Sequence, residues 1–284
     1  MTDPASWLLE HGENVQYGLF FGLLPLLLVV ERILPFRRLP GDAARLRTNA
    51  ALTLLAVLSL GIVPVSFIGA AMWADARGVG LLNLAALPPG VVIVATLLLR
   101  GGLSTLTHWL NHRVPLLWRL HRVHHLDTEL DVSSTVRFHP LEMPVNALIG
   151  VPLVVALGLS PWVLVIYEFL DVAVTLFSHS NLQVPAKLDR WLRYVLVTPN
   201  LHRVHHSSFR PETDSNYGAV FPIWDVVFGT FRSETREPQE AMELGLEDVR
   251  GPAAQRLLGL LVSPLYRDLS RLDRRSAGGT EAPT

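Results

Sequence analysis

Cysteine is absent from this chain of 284 residues. Disulfides, thiolate metal ligands and cysteine-bound iron–sulfur clusters are therefore excluded. Charge is scarce, at 17% of residues, and Lys187 is the single lysine among 24 basic residues. With a net charge of −1 and no basic patch interleaved with aromatics, nothing favours nucleic acid as a partner. No GxGxxG fingerprint is present, so a built-in dinucleotide site of that type is missing. The opening stretch MTDPASWLLEHGEN has no Lys or Arg before the first apolar run. It lacks the positive region of a cleaved signal peptide and reads as part of the mature protein.

What is present is apolar residue. Half of the chain is hydrophobic and the mean hydropathy is +0.33, values that point to a membrane protein. Charge-free runs extend from Asn14 to Val30, Thr48 to Ala74, Gly78 to Leu99 and Met143 to Tyr167. All but the first exceed the ~20 residues that cross a bilayer. The last continues to about Phe177 and holds GLSPW at 158–162, a Gly and Pro break that predicts a helical hairpin over 143–178. Five arginines (32, 37, 38, 45 and 47) lie between the first two runs, which places that loop in the cytoplasm and the N-terminus outside. The expectation is an all-α, multi-pass transmembrane bundle of four to five spans with a cytoplasmic helical cap. Three regions follow: a transmembrane part at 1–99, a catalytic part at 100–231 that includes the hairpin, and a polar tail at 232–284. Within the tail, 255–266 reads as an interfacial stretch and SAGGTEAPT as disordered. The excess of Arg, Ala and Leu suggests a GC-rich bacterial gene and hence a bacterial inner membrane.

Ten of the eleven histidines fall between His108 and His206, and the phrase LHRVHH occurs twice, at 120–125 and 201–206. His108 and His112 are one helical turn apart and share a helix face. In HRVHH the spacing i, i+3, i+4 gathers His121, His124 and His125, and likewise His202, His205 and His206. A metal with an open position needs about three protein ligands, so eight such imidazoles fit two metals, each phrase forming one helical wall. Imidazole suits iron, copper, zinc and nickel alike. His139 is a possible ligand or supporting residue, and His179 is a further candidate. The topology puts all ten on the cytoplasmic side. His11 lies across the membrane from them.

These phrases resemble the fatty acid hydroxylase and sterol desaturase superfamily of membrane non-haem di-iron oxygenases. The match runs through HWLNH at 108–112, HRVHH at 121–125, FHPLE at 138–142, HSN at 179–181, TPNLHRVHH at 198–206 and NYGAVFPIWDVVFGT at 216–230. The resemblance implies two iron ions held by His108, His112, His121, His124, His125, His202, His205 and His206, with His179 as a ninth ligand. It also implies dioxygen activation and hydroxylation or desaturation of a lipid. Some members carry a histidine four residues before the one matched by His179, where this chain has Thr175. The Glu-x-x-His pairs of soluble di-iron bundles are absent. Glu142, Asp171, Asn181, Asn200 and Asp225 are candidates to accept hydrogen bonds from imidazole N–H groups.

The reading is thus an oxidoreductase whose lipid substrate, sterol-like or fatty acyl, enters from the bilayer. With no dinucleotide fingerprint, cysteine or spare haem domain, electrons come from a separate donor or reductase. The alternative is a zinc-dependent membrane hydrolase using the same histidines. A metal transporter fits less well, because its ligands would be strung along a transmembrane path.

Overall fold

The computed structural model describes residues 3–41 and 43–270, except for the side chains of 253–254. The SAGGTEAPT stretch lies outside the described residues. Helix α1 (Pro4–Ile33) starts at Asp3, whose carboxylate accepts from Ser6 N–H, with Pro4 at the first helical position. Helices α2 (Ala43–Leu60), α3 (Phe67–Arg77) and the single turn α4 (Leu81–Leu84) follow. Next come α5 (Pro89–Arg113) and α6 (Pro115–His125), separated by Val114, because Pro115 cannot supply the N–H that would continue the helix. After a 3₁₀ turn at Val132–Val136 the chain forms α7 (Glu142–Leu157) and α8 (Pro161–His179). The remaining helices are short: α9 (Ala186–Leu192), α10 (Pro199–His205), α11 (Arg210–Thr213), α12 (Ile223–Phe228) and α13 (Leu257–Val262).

Among the described residues three helices, α1, α5 and α8, are long and apolar enough to cross a membrane. The sequence leads one to expect about four to five spans, and the other apolar runs form shorter helices. The run from Thr48 to Ala74 breaks at GIVPVS into α2 and α3, since Pro64 interrupts the backbone ladder and Ser66 caps α3 by accepting from Gly69 N–H at 3.0 Å. The run from Gly78 to Leu99 begins in the loop and short α4, so α5 starts only at Pro89. The hairpin turn falls where GLSPW predicts it. Gly158 closes α7 in the left-handed conformation (φ 63°), and Pro161 opens α8.

At that turn two backbones nearly touch. A Cβ on Gly80 (φ 100°) would lie 2.4 Å from Gly158 N, so neither glycine has room for a side chain. Around it Ala70, Ala71, Leu82, Leu103, Val154, Leu159 and Leu164 form an apolar core.

Helix α1 runs alongside α8 with both C-termini at the same end. Glu31 pins that end, its Oε2 accepting from Asn181 N–H (3.0 Å) and Val132 N–H (3.1 Å). The C-terminus of α5 and the N-termini of α2 and α7 reach the same end, where α6 and the short helices make a cap. Arg45 of α2 grips the cap, donating to Asp127 (2.7 Å), Asp131 (2.6 Å) and Ser134 (2.9 Å). Part of the tail is more than a polar extension. Met242, Leu244, Val249, Leu260 and Tyr266 are buried, Arg122 donates to the carbonyls of Ser263 and Tyr266, and Gln255 bridges Arg137 and the Leu126 carbonyl. Residues up to Leu269 therefore strap the cap down. Their apolar positions are isolated in the sequence and produce no periodic signal.

Candidate metal centre

Four helices deliver the histidines: α5 carries 108 and 112, α6 carries 121, 124 and 125, α8 ends at 179, and α10 carries 202 and 205, with 206 directly after it. Thr198 starts α10 by accepting from Leu201 N–H, which fixes the position of the second phrase. Nine imidazoles converge in two groups whose ligand atoms lie within 4.8 Å of one another: His108, His112, His121, His125 and His205, and then His124, His179, His202 and His206.

Each repeated phrase is split between the groups, contrary to the expectation that each forms one wall. The first phrase sends His121 and His125 to the five-membered group and His124 to the other. The second sends His202 and His206 to the four-membered group and His205 across. Helix geometry explains the exchange. At ~100° per residue, i and i+4 point ~40° apart, whereas i+3 is turned ~60° to the other side of i. A phrase with this spacing addresses two centres at once, and two facing copies address the same two.

Proton positions follow from the partners. The Nδ1–H of His108 donates to Tyr217 O (2.8 Å), that of His121 to Glu142 Oε1 (2.7 Å), that of His205 to Ser215 O (2.7 Å) and that of His179 to Thr175 O (2.8 Å). The Nδ1 of His112 faces Asp214 Oδ1 at 3.3 Å. Each partner can only accept, so in the neutral ring the proton sits on Nδ1 and the Nε2 lone pair points into the group. Yet Nε2 of His108 lies 3.1 Å from Nε2 of His121, which is 3.2 Å from that of His125. In the other group, Nε2 of His179 lies 2.9 Å from that of His202 and 3.2 Å from that of His124. The Nε2 atoms of His112 and His205 are buried without a hydrogen-bond partner.

Lone pairs at such separations repel unless a cation lies among them. Two nitrogens bound to one ion at ~2.1 Å would stand ~3.0–3.4 Å apart. The donor set therefore fits metal ions. Added protons fit poorly: burial holds His205 down to about 3, although Ser215 O opposes the shift, and burial also lowers His124, His125, His202 and His206.

The other anticipated site residues separate. Glu142 does face an imidazole, that of His121, and Phe138 stacks on the His124 ring at 4.9 Å. His139 lies outside both groups, hydrogen-bonded through its ring to Leu261 O and Leu141 N–H. Asn181 and Asn200 take other partners than imidazoles. Asn181 holds the chain after α1 through Arg37, and Asn200 accepts from Arg203 at 3.0 Å, because each side chain projects away from the groups. Asp225 accepts from the N–H groups of Tyr217 and Gly218 and from Thr230 O–H. It reaches His108 only indirectly, by shaping the loop whose Tyr217 carbonyl orients that ring. Asp171 touches no histidine.

Sequence reasoning missed Asp214 and the carbonyls of Thr175, Ser215 and Tyr217. Backbone acceptors leave no trace in side-chain identity, and Asp214 is an isolated acid in a polar loop.

A cavity of about 430 Å³ joins the groups to the apolar surface. His108, His121, His124, His179 and His202 form one end of its wall, and aromatic residues of α1 form the other. The structure thus couples two buried histidine clusters to a chamber that opens among membrane-type helices.

Comparison with known proteins agrees with this chemistry. The pattern of the fatty acid hydroxylase family matches residues 93–230. The ornithine lipid hydroxylase OlsE of Rhizobium tropici is 31% identical over 186 residues, 62% of this chain and 50% of that protein. Human alkylglycerol monooxygenase is 32% identical over 130 residues, 46% of this chain and 28% of the relative. A cholesterol 25-hydroxylase-like protein of Danio rerio is 29% identical over 154 residues, 51% of this chain and 59% of the relative. The matches thus span about a quarter to three-fifths of these curated relatives. No solved structure matches. Residues 93–230, which hold all nine clustered histidines, are thus a match to the fatty acid hydroxylase family.

Proposed function

We propose that the protein is a membrane-bound oxygenase that holds two iron ions on its nine clustered histidines. It would hydroxylate or desaturate a lipid with dioxygen and electrons from a separate donor. The observation that carries the reading is the junction of two convergent imidazole groups with one cavity whose far wall is made by aromatic residues of the membrane-type helix α1. When bound, iron in such a donor set would supply the redox chemistry that activates dioxygen against an unactivated carbon.

The chain's own residues would do the rest. His108, His112, His121, His125 and His205 would hold one ion, and His124, His179, His202 and His206 the other. Glu142 and the carbonyls of Tyr217, Ser215 and Thr175 would keep the Nε2 atoms of His121, His108, His205 and His179 aimed inward. The lipid would enter between α1 and α2, where Tyr17, Phe20 and Phe21 face Thr53, Val57 and Leu60. Apolar walls would bring the chain alongside the histidines while keeping bulk water out. The names of the relatives mention an ornithine lipid, an alkylglycerol and cholesterol, which supports a lipid substrate and leaves its identity open.

Incubation of purified protein with a reductant and lipid extract tests the class. Lipid products bearing an added oxygen or lacking two hydrogens, formed only with dioxygen, are expected. Lipid hydrolysis that proceeds equally without dioxygen and reductant would overturn the reading in favour of a zinc hydrolase.

A further inference from the structure

The chamber is not uniformly greasy. Along α5, Arg100, Ser104, Thr107, His108 and Asn111 line it, and along α8, Glu168, Asp171, Thr175, Ser178 and His179 do so. Their spacings of three and four residues make two polar stripes that run from the interior of the bundle to the imidazoles. At the deep end Arg100 is fully engaged. It donates to Glu168 (3.0 Å) and Ser104 (2.6 Å), with its guanidinium 4.7 Å from the Phe67 ring and 4.9 Å from the Tyr167 ring.

Asp171 is one helical turn beyond Glu168, and its Oδ1 is buried with no hydrogen-bond partner. The same holds for Glu142 Oε2 and for Oδ1 of Asn111 and Asn146, all on the cavity wall; Glu142 and Asn111 are each only 3% exposed. Apart from ring nitrogens, every unpartnered buried polar atom lining this chamber is an oxygen. An amide can turn its N–H₂ group inward, but a carboxylate offers only acceptors, so Asp171 and Glu142 set the character of the wall. A buried acceptor without a donor is costly, and within a membrane it marks a place where a partner binds.

We propose that the substrate is an amphiphile with a hydrogen-bond donor, a hydroxyl or an ammonium group, and that Asp171 receives it within the chamber. This rests on the oxygenase reading for the word substrate but not for the binding itself. Asp171 is eight residues before His179 on α8, so the donor group sits about 12 Å along the helix from that ring. Carbon at the imidazole end is then a chain's length away from the donor group. Lipids that lack the donor leave the carboxylate unpaired and are rejected.

The test uses the full chain in detergent, metal-loaded and without reductant, so that binding is read without turnover. Calorimetry compares single-chain probes of equal length ending in an alcohol, a primary ammonium or a methyl ester. The donor-bearing probes are expected to bind ~10-fold or more tightly than the ester. Preference for the ammonium alone assigns a cationic headgroup, and equal binding of the alcohol assigns a hydroxyl. Asp171→Leu should abolish the preference at unchanged metal content. Asp171→Asn, which keeps an acceptor without its charge, should retain the alcohol and lose the ammonium. Ester binding as tight as the others, or a preference that survives in both variants, overturns the proposal. Metal content and dioxygen-dependent product formation on the same preparation judge the oxygenase reading separately.

Discussion

At the scale of single residues, the position of one proton decides what each imidazole can do. Where Nδ1–H is held by an acceptor, Nε2 is left as a lone pair directed at the metal position, and the acceptor matters nearly as much as the ligand. Glu142 is the side chain that does this for His121. Glu142→Ala should weaken metal retention at the five-membered group by about 10–100-fold, with Glu142→Gln, which keeps an acceptor, recovering most of the loss. Asn200→Ala, whose side chain serves Arg203, should leave retention unchanged. Competition with a chelator separates the three variants, and equal retention by all of them would contradict the assignment. Thr175 has the same logic in its backbone, since its carbonyl orients His179 whatever its side chain is. The group containing His179 has four imidazoles against five in the other.

At the scale of elements, two joints hold the site in register. One is the Arg45 junction between α2 and the loop after α6. Burial works to raise the Asp127 carboxyl, but Arg137 and Arg45 outweigh it and hold it down to about 2. An unfolded aspartate titrates near ~3.9, so the stability this group gives is complete above pH ~4 and disappears as pH falls through about 2. Asp127→Asn should therefore lower unfolding stability by about 2 kcal/mol at neutral pH, with the gap to the parent narrowing once the pH is below ~4. Thermal unfolding at pH 7 and pH 3 reads this, and a gap of equal size at both would contradict it.

The other joint is the contact between Gly80 and Gly158. Gly80→Ala should lower the unfolding temperature by several degrees through backbone collision, while the folded fraction keeps its full complement of metal. An unchanged unfolding temperature would show that the two backbones can part at no cost.

Much of this element scale was legible in the sequence, but unevenly. The hairpin turn could be read because Gly and Pro announce it, and the histidine faces because i, i+3 and i+4 are geometric statements. The division of each phrase between two groups was implicit in the same ~100° step, yet it emerges only when two copies face each other. The Arg45 junction spans more than eighty residues of sequence and joins side chains with no common motif, so nothing local could reveal it. The break at GIVPVS carries the same Gly and Pro signal, but the unbroken apolar run around it, which reports burial in lipid and not continuity of the helix, reads as one span.

At the scale of the whole molecule, α1, α5 and α8 end on the same side as the histidines, with α2 and α7 leading away from it. Arginines 32, 37 and 38 lie at that end, so the positive-inside rule leads us to propose that the histidines face the cytoplasm. The natural absence of cysteine makes the test clean. In cells, Arg38→Cys should react with an impermeant maleimide only after permeabilisation, whereas Arg77→Cys should react from outside. The reverse pattern would turn the protein over and place the site on the opposite face.

The central claim is that nine histidines form two metal centres which share ligands from both copies of one phrase. The most direct measurement is the metal content, with spectroscopy, of detergent-purified protein made with ample iron, beside His205→Ala, His124→Ala and the double variant. About two irons per chain are expected, with each single change weakening a different centre and the double change removing both. Zinc that persists under iron-replete expression, or a single centre lost equally in either single variant, would contradict it.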